Sequence, residues 1–121
     1  MAYDIVWESR GVWRRFSGTL CAQDLVASVD EVQRDSRYDE LRYSINDFLD
    51  VDNMADIAGI LDLVLAKAIG GAHSNPRLVM AIVGRSEAFL SHAKIFLRPD
   101  FPYPVRLFED VASARVWLKG L

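Results

Sequence analysis

The sequence predicts an α/β domain spanning residues 1–121: a mostly parallel five-stranded sheet that opens with an antiparallel hairpin and carries four helices. Three observations support this prediction. The 121 residues are the usual length of one domain, and 51% are hydrophobic, which is enough for a proper core. Segments with strand and helix periodicity also alternate along the chain, in the order β-β-α-β-α-β-α-β-α.

The opening hairpin is indicated by two short period-two segments. Tyr3, Ile5 and Trp7 occupy alternate positions of the first strand, and residues 12–17 form the second. The short connection contains Gly11, which is free to adopt a positive φ. Gly18 is expected to end the second strand.

The middle of the chain is predicted to form two helices around a third strand. The first helix covers residues 22–35, and Cys21 stands at its cap position, where a thiol is a weak cap. The third strand, at about 41–46, leads into an acidic loop at 47–53. The second helix is expected over 54–69, with Gly70 and Gly71 as its stop.

The last third of the chain alternates buried strands with capped helices. Residues 78–83 form an apolar run typical of a buried central strand, and Ser86 is expected to cap a helix over 87–97. Three prolines make 98–104 irregular. A fifth strand covers 105–108, and Asp110 caps the last helix.

Short motifs spread over nearly the whole chain resemble a known bacterial fold. They are Gly18-Thr19-Leu20 with Asp24-Leu25, Asn46-Asp47-Phe48, Met80-Ala81-Ile82-Val83-Gly84, and Arg106-Leu107-Phe108-Glu109-Asp110 followed by Ala114 and Trp117-Leu118. They resemble the STAS fold of anti-sigma-factor antagonists, and most closely the uncharacterised SpoIIAA-like branch, which is likened to CRAL-TRIO lipid-binding domains. The motifs concern packing and capping, so the resemblance implies a fold rather than a chemistry.

The chain departs from STAS antagonists at their regulatory position. The resemblance implies a phosphorylatable Ser or Thr at the start of the second helix, but residues 48–54 contain neither. The nearest serines are Ser44, inside a strand, and Ser74. We therefore expect no phospho-switch. Asp50 and Asp52 either mimic a charged state or simply complement the helix dipole.

Charge and cysteine content exclude several classes of protein. The net charge of −3 argues against nucleic-acid binding, and Cys21 alone cannot form an internal disulfide. His73 and His92 lie in different segments, so no metal site and no cofactor is predicted. No signal peptide or transmembrane segment is visible, and a cytoplasmic location is expected.

The predicted ligand site lies at the carboxyl ends of the third and fourth strands. Asn46 and Asp47 close the third strand, and Gly84, Arg85 and Ser86 follow the fourth. Parallel strands end at the same edge, where α/β proteins bind ligands. Backbone N–H groups, with the Arg85 and Ser86 side chains, could hold a small anion there.

Two functions are compatible with these observations. The first is a non-enzymatic regulatory or protein-interaction domain without the STAS phospho-switch. The alternative is a small-molecule or lipid-binding domain of CRAL-TRIO-like type, suggested by apolar residues at 96–97 and 101–103. An enzyme acting through Asn46, Asp47 and Arg85 is a third class, but the sequence shows no paired nucleophile and base.

The second helix is predicted to support a homodimer. With 100° per residue, Met54, Ile57, Leu61, Val64, Leu65 and Ala68 fall on one stripe that should face the sheet. Ile60 and Leu63 fall between Asp56 and Lys67 on the outward side, with Gly59 nearby. Two-fold symmetry would bury that apolar patch against its own copy.

Overall fold

The computed structural model describes residues 2–54 and 57–121, which form a five-stranded sheet with the strands in chain order. The strands are β1 (Tyr3–Glu8), β2 (Gly11–Thr19), β3 (Tyr43–Asn53), β4 (Val79–Val83) and β5 (Val105–Phe108). β1 pairs antiparallel with β2, and every other neighbouring pair is parallel. The predicted fold class is confirmed.

Four helices cover the two faces of this sheet unequally. They are α1 (Ala22–Arg34), α2 (Leu61–Ser74), α3 (Glu87–Ala93) and α4 (Val111–Lys119), with 3₁₀ turns at Ser36–Glu40, Ala58–Ile60 and Lys94–Leu97. The first three connect successive parallel strands and pack on one face, here called the three-helix face; α4 packs on the opposite face. Among the described residues, no helix has both the length and the apolar character needed to cross a membrane.

Strand alternation divides the core between these two faces. Val12 and Phe16 of β2 are buried on the three-helix face. On the other face, Ala114 of α4 packs against Ile45 and Ala81 of the central strands. Adjacent residues of one strand therefore lie in different layers.

The hairpin forms as predicted, but its glycines act differently. The turn places Arg10, not Gly11, at positive φ (59°). A side chain at Gly11 would collide with the Tyr43 ring, so close packing requires glycine there. Gly18 adopts φ 66° inside β2, near a register shift, and the strand continues to Thr19, so the prediction that Gly18 ends the strand is wrong.

The predicted acidic loop at 47–53 is also wrong, because these residues form the second half of β3. β4 pairs with β3 only as far as Asp47 and Val83. Beyond that point, β3 continues beside the end of β2, where Ser17 pairs with Asp50. The partner strand, which is remote in sequence, keeps this acidic segment extended.

The second helix begins later and ends later than its sequence predicts. α2 runs through Gly70 and Gly71 to Ser74. Gly71 is a close-packing residue rather than a stop, since an added Cβ would lie 2.7 Å from Gln33 Nε2 and would collide with the Tyr38 hydroxyl. The helix ends at Asn75, whose buried amide donates to the carbonyls of Tyr38 (2.8 Å) and Leu41 (2.9 Å).

Predicted caps agree with the structure. Ser86 accepts from the Phe89 N–H, and Asp110 accepts from the Ser113 N–H. Cys21 makes no cap to the backbone; its thiol donates to Asp24 at 3.1 Å instead. α3 is shorter than predicted, because its last turn, Lys94–Leu97, is 3₁₀.

Candidate functional site

Asn46 and Asp47 do not share one crevice, contrary to the prediction. As neighbours on β3, they point to opposite faces of the sheet. Asn46 is buried on the three-helix face, whereas Asp47 accepts hydrogen bonds from Trp13 Nε1 (3.2 Å) and the Leu49 N–H (3.0 Å). The two side chains therefore belong to different sites.

The residues after β4 are engaged within the chain itself. Phe89 packs against Gly84, leaving no room for a side chain there. Arg85 Nε donates to the Glu109 carbonyl at 2.9 Å, and the Ser86 hydroxyl caps α3. The groups predicted to hold an anion therefore already have structural partners.

The predicted dimer patch is only partly outward. Leu63 is 45% exposed and Gly59 is exposed with open space around it. Ile60, however, is half-buried and packs against the core cluster that contains Phe16 and Ile57, so its predicted solvent-facing position is wrong. Asp56, which together with Lys67 was predicted to mark the outward side of this helix, lies outside the described residues.

The unexpected feature of the three-helix face is a buried arginine. Arg14 of β2 is only 8% exposed. Its Nε donates to Asn46 Oδ1 at 2.8 Å, one terminal nitrogen donates to the same oxygen, and the other donates to Ser28 Oγ at 3.1 Å. No carboxylate within the described ranges forms an ion pair with it. Burial lowers the pKa of Arg14 to about 10, so the guanidinium stays charged at neutral pH.

A small polar network fixes the position of this guanidinium. Asn46 donates its amide to the Ala81 carbonyl at 3.2 Å and accepts from Ser44 at 3.2 Å. Ser28 donates to the Leu25 carbonyl at 2.8 Å. A guanidinium has five N–H groups. Three are used here, which leaves two without a partner in the part of the chain that the structure describes.

Two mostly apolar, partly open pockets adjoin Arg14, and because they share part of their walls they are here called the two lobes of one cavity. Both are bordered by Arg14, Val64, Met80 and Phe96. The first lobe, of about 60 Å³, is also bordered by Val29, Val32, Gln33, Tyr38, Leu41, Ser44, Ala68, Leu78, Phe101 and Tyr103. The second lobe, of about 40 Å³, is also bordered by Leu25, Asn46, Phe48, Met54, Ile57, Leu61, Ile82, Phe89, His92 and Ala93.

A tyrosine pair adds a neutral polar group to the first lobe. The hydroxyls of Tyr38 and Tyr103 lie 2.8 Å apart. Burial raises the pKa of both phenols, so neither ionises near neutral pH. Because one hydroxyl donates to the other, a single hydroxyl hydrogen of the pair is left to donate elsewhere.

Some residues singled out from the sequence lie at this cavity. Asn46 was a predicted ligand residue and lies against Arg14, and the aromatic residues Phe96, Phe101 and Tyr103 border the cavity. Arg14 itself was missed. Its signal was its position between Val12 and Phe16, which places it on the buried face of an alternating strand.

Comparison with known proteins supports the fold but assigns no activity. No family model matches the chain, and no curated protein matches it. A solved structure of an uncharacterised protein from the DUF3478 family, with a SpoIIAA-like fold, from Shewanella loihica PV-4, superposes with a TM-score of 0.57. The match covers 97% of this chain and 92% of that chain at 18% identity, a level that shows the fold alone. The resemblance predicted from the sequence motifs is confirmed at that level: the chain has a SpoIIAA-like fold.

Proposed function

We propose that this chain is a non-enzymatic binding domain that holds a small, largely apolar molecule between the sheet and its three-helix face. The observation that carries the proposal is the two-lobed cavity, whose walls are mostly aliphatic and aromatic. Ligand sites in proteins are typically concave and apolar, with a few fixed polar groups that orient the ligand. The Arg14 network and the tyrosine pair are such groups.

The lobes as they stand are small, so a ligand must displace part of their cover. A water molecule needs about 10–15 Å³ of such space, which gives each lobe room for a few waters. We propose that α2 supplies this movement, because it begins without a side-chain cap and carries the exposed Gly70, which costs about 1 kcal/mol of helix stability relative to alanine.

The lining favours binding over catalysis. Among the described residues bordering the lobes there is no carboxylate and no thiol, and the Ser44 hydroxyl donates to Asn46 rather than to a base. His92 borders only the second lobe, whereas Ser44 borders the first. A paired nucleophile and base, which acyl transfer or hydrolysis requires, does not line the cavity in the part of the chain described.

The proposal also includes the location and organisation expected from the sequence, namely a cytoplasmic protein whose residues 1–121 form one domain.

Two alanines of α2 provide a matched test. Ala68 borders the first lobe, whereas Ala66 is exposed on the same helix. We expect the neutral fluorescent probe N-phenyl-1-naphthylamine to bind the unmodified protein saturably. Ala68→Leu should weaken this binding roughly tenfold by filling the lobe, since about 1.4 kcal/mol of lost contact corresponds to that factor. Ala66→Leu should leave the affinity unchanged.

Fluorescence titration measures both affinities, and thermal unfolding confirms that both variants are folded. Absence of saturable binding to the unmodified protein would contradict the proposal. Equal loss of affinity in the two variants would also contradict it, because the probe would then not occupy the internal lobe.

A second candidate function is a regulatory interaction domain that acts as a symmetric homodimer through α2. It is supported by the outer surface of this helix, where Leu63 is 45% exposed and Ala66 and Gly70 are small and exposed. The chain has no Ser or Thr between Ser44 and Ser74. The proposed regulation therefore does not use a phosphorylated hydroxyl at the start of the second helix.

A further inference from the structure

Resting on the binding function proposed above, we propose that the ligand is an aliphatic monocarboxylate, whose carboxylate pairs with the buried Arg14 guanidinium and whose tail lies in the apolar lobes. The structure offers three independent observations for this: an uncompensated buried charge, an oriented guanidinium with free donors, and a single cation in an apolar wall.

The first observation is the missing counter-charge. Arg14 is buried and hydrogen-bonded only to neutral side chains among the described residues. A buried charge is costly unless it is paired. A carboxylate bound in the adjoining cavity supplies the opposite charge and converts an unfavourable feature of the fold into a source of ligand affinity.

The second observation is the orientation of the donors. Asn46 and Ser28 engage three of the five N–H groups and hold the guanidinium plane in place. The two remaining N–H groups can donate to the two oxygens of a carboxylate without the guanidinium having to reorganise. Guanidinium and carboxylate form charge-assisted hydrogen bonds of well-defined geometry, which gives specificity as well as affinity.

The third observation limits the charge of the ligand. Arg14 is the single arginine bordering the lobes, and no lysine borders either lobe among the described residues. One positive charge balances one carboxylate, whereas a phosphate dianion would bring an unmatched negative charge into an apolar wall. The remaining walls are mostly aliphatic and aromatic, with Gln33, Ser44, Asn46 and His92 as further polar or titratable side chains, and this lining suits a slender hydrocarbon tail.

The adjacent residue supplies a matched control for testing this inference. Arg15 follows Arg14 directly on β2 but is exposed. One of its terminal nitrogens lies 3.8 Å from Asp4 Oδ2, and its guanidinium carbon lies 4.7 Å from the centroid of the Trp13 ring. Arg14→Met and Arg15→Met remove the same charge from opposite faces of one strand. Calorimetric titration with decanoate and with the neutral decan-1-ol separates the contribution of the carboxylate from that of the tail.

We expect the unmodified protein to bind decanoate roughly tenfold to a hundredfold more tightly than decan-1-ol, the range expected for hydrogen bonds to a charged group. Arg14→Met should reduce decanoate to the affinity of the alcohol. Arg15→Met should keep the preference. Arg14→Lys retains the positive charge but lacks the two parallel N–H donors of a guanidinium, so it should keep only part of the preference for decanoate.

Equal affinities of the unmodified protein for decanoate and decan-1-ol would overturn the inference, and this comparison does not depend on any variant being folded. A preference that persists in folded Arg14→Met would overturn it as well. In both cases, binding of N-phenyl-1-naphthylamine would leave the proposed function intact. If neither these ligands nor the neutral probe bind, both proposals fail.

Discussion

Neighbouring residues of this chain have opposite environments, of which strand alternation predicts the face but not the degree of burial. Arg14 and Arg15 are chemically identical and adjacent, yet one is buried beneath the helices and the other is exposed on the opposite face. Strand alternation assigns the face, and the packing of helices on that face decides the burial. The same holds for Gly70 and Gly71, of which one meets open space and the other meets the Tyr38 hydroxyl.

These two glycines give a prediction at the level of single residues. Gly70→Ala should raise the free energy of unfolding by about 0.5–1 kcal/mol, because alanine is the better helix former. Gly71→Ala should lower it by about 1–3 kcal/mol, because the added methyl would displace Tyr38 from its hydrogen bond with Tyr103. Urea unfolding of both variants measures the difference. Shifts of the same sign and size would show that Gly71 is not closely packed.

At the scale of elements, α2 has two roles that its composition does not separate. Its inner face closes the cavity through Val64, which is buried, and Ala68. Its exposed surface carries Leu63 and Ile69, which lie about 120° apart around the helix. Replacing an inner residue therefore tests ligand binding, and replacing Leu63 tests association between copies.

The exposed surface of α2 leads to the prediction for the homodimer. Leu63→Asp should shift the protein from dimer to monomer at micromolar concentration without unfolding it, because Leu63 is 45% exposed. Ile69→Asp, at an equally exposed position (46%) but about 120° around the helix, should leave the dimer intact. Ile60→Asp is not a suitable test of the dimer, since Ile60 packs against the core and its replacement would destabilise the fold itself.

Sedimentation equilibrium measures whether each protein is a dimer or a monomer. A monomer mass for the unmodified protein rules out the dimer.

At the scale of the whole molecule, one ion pair joins the two ends of the chain. Arg115 of α4 donates to both oxygens of Glu8 in β1, at 3.0 and 2.6 Å, and Tyr43 also donates to Glu8. The hydrogen bonds from Arg115 are the main cause that lowers the pKa of Glu8; burial opposes this shift and Tyr43 adds to it. This cluster links the edge of the hairpin to the helix on the opposite side of the sheet from α1–α3.

The cluster makes stability depend on pH in a defined direction. Since the pKa of Glu8 is lower in the folded protein than its usual value of 4.5, its contribution is fully present above pH 4.5 and is lost as the pH falls below that. Glu8→Gln should therefore be less stable than the unmodified protein at pH 7, and this deficit should shrink on acidification. Thermal unfolding from neutral to acidic pH tests this.

The exposed Glu40→Gln serves as the control for this measurement, and its stability should follow that of the unmodified protein at every pH. A deficit of Glu8→Gln that stays constant down to the lowest pH at which the protein folds would show that Glu8 does not titrate as the geometry implies.

Local chemistry was enough to determine the class of the fold and many of its boundaries. Period-two alternation identified the hairpin, the connecting helices implied parallel strands, and β5 occupies the predicted residues 105–108. Ser86 and Asp110 cap the predicted helices because capping depends only on residues within one turn. Asn46 was named as a ligand residue because the third strand was expected to end there; β3 in fact continues to Asn53, and Asn46 lies within it beside Arg14.

The features that make up the proposed site depend instead on segments remote in sequence. The end of β3 is extended because β2 pairs with it, and α2 passes its two glycines because Gly71 packs against Tyr38. Arg14 is buried without a counter-charge because Asn46 and Ser28, which lie 32 and 14 residues further along the chain, meet it beneath the helices. Periodicity and capping are short-range effects that the sequence determines by itself. Burial, cavities and charge pairing depend on which distant segments pack together, so only the tertiary structure decided these features.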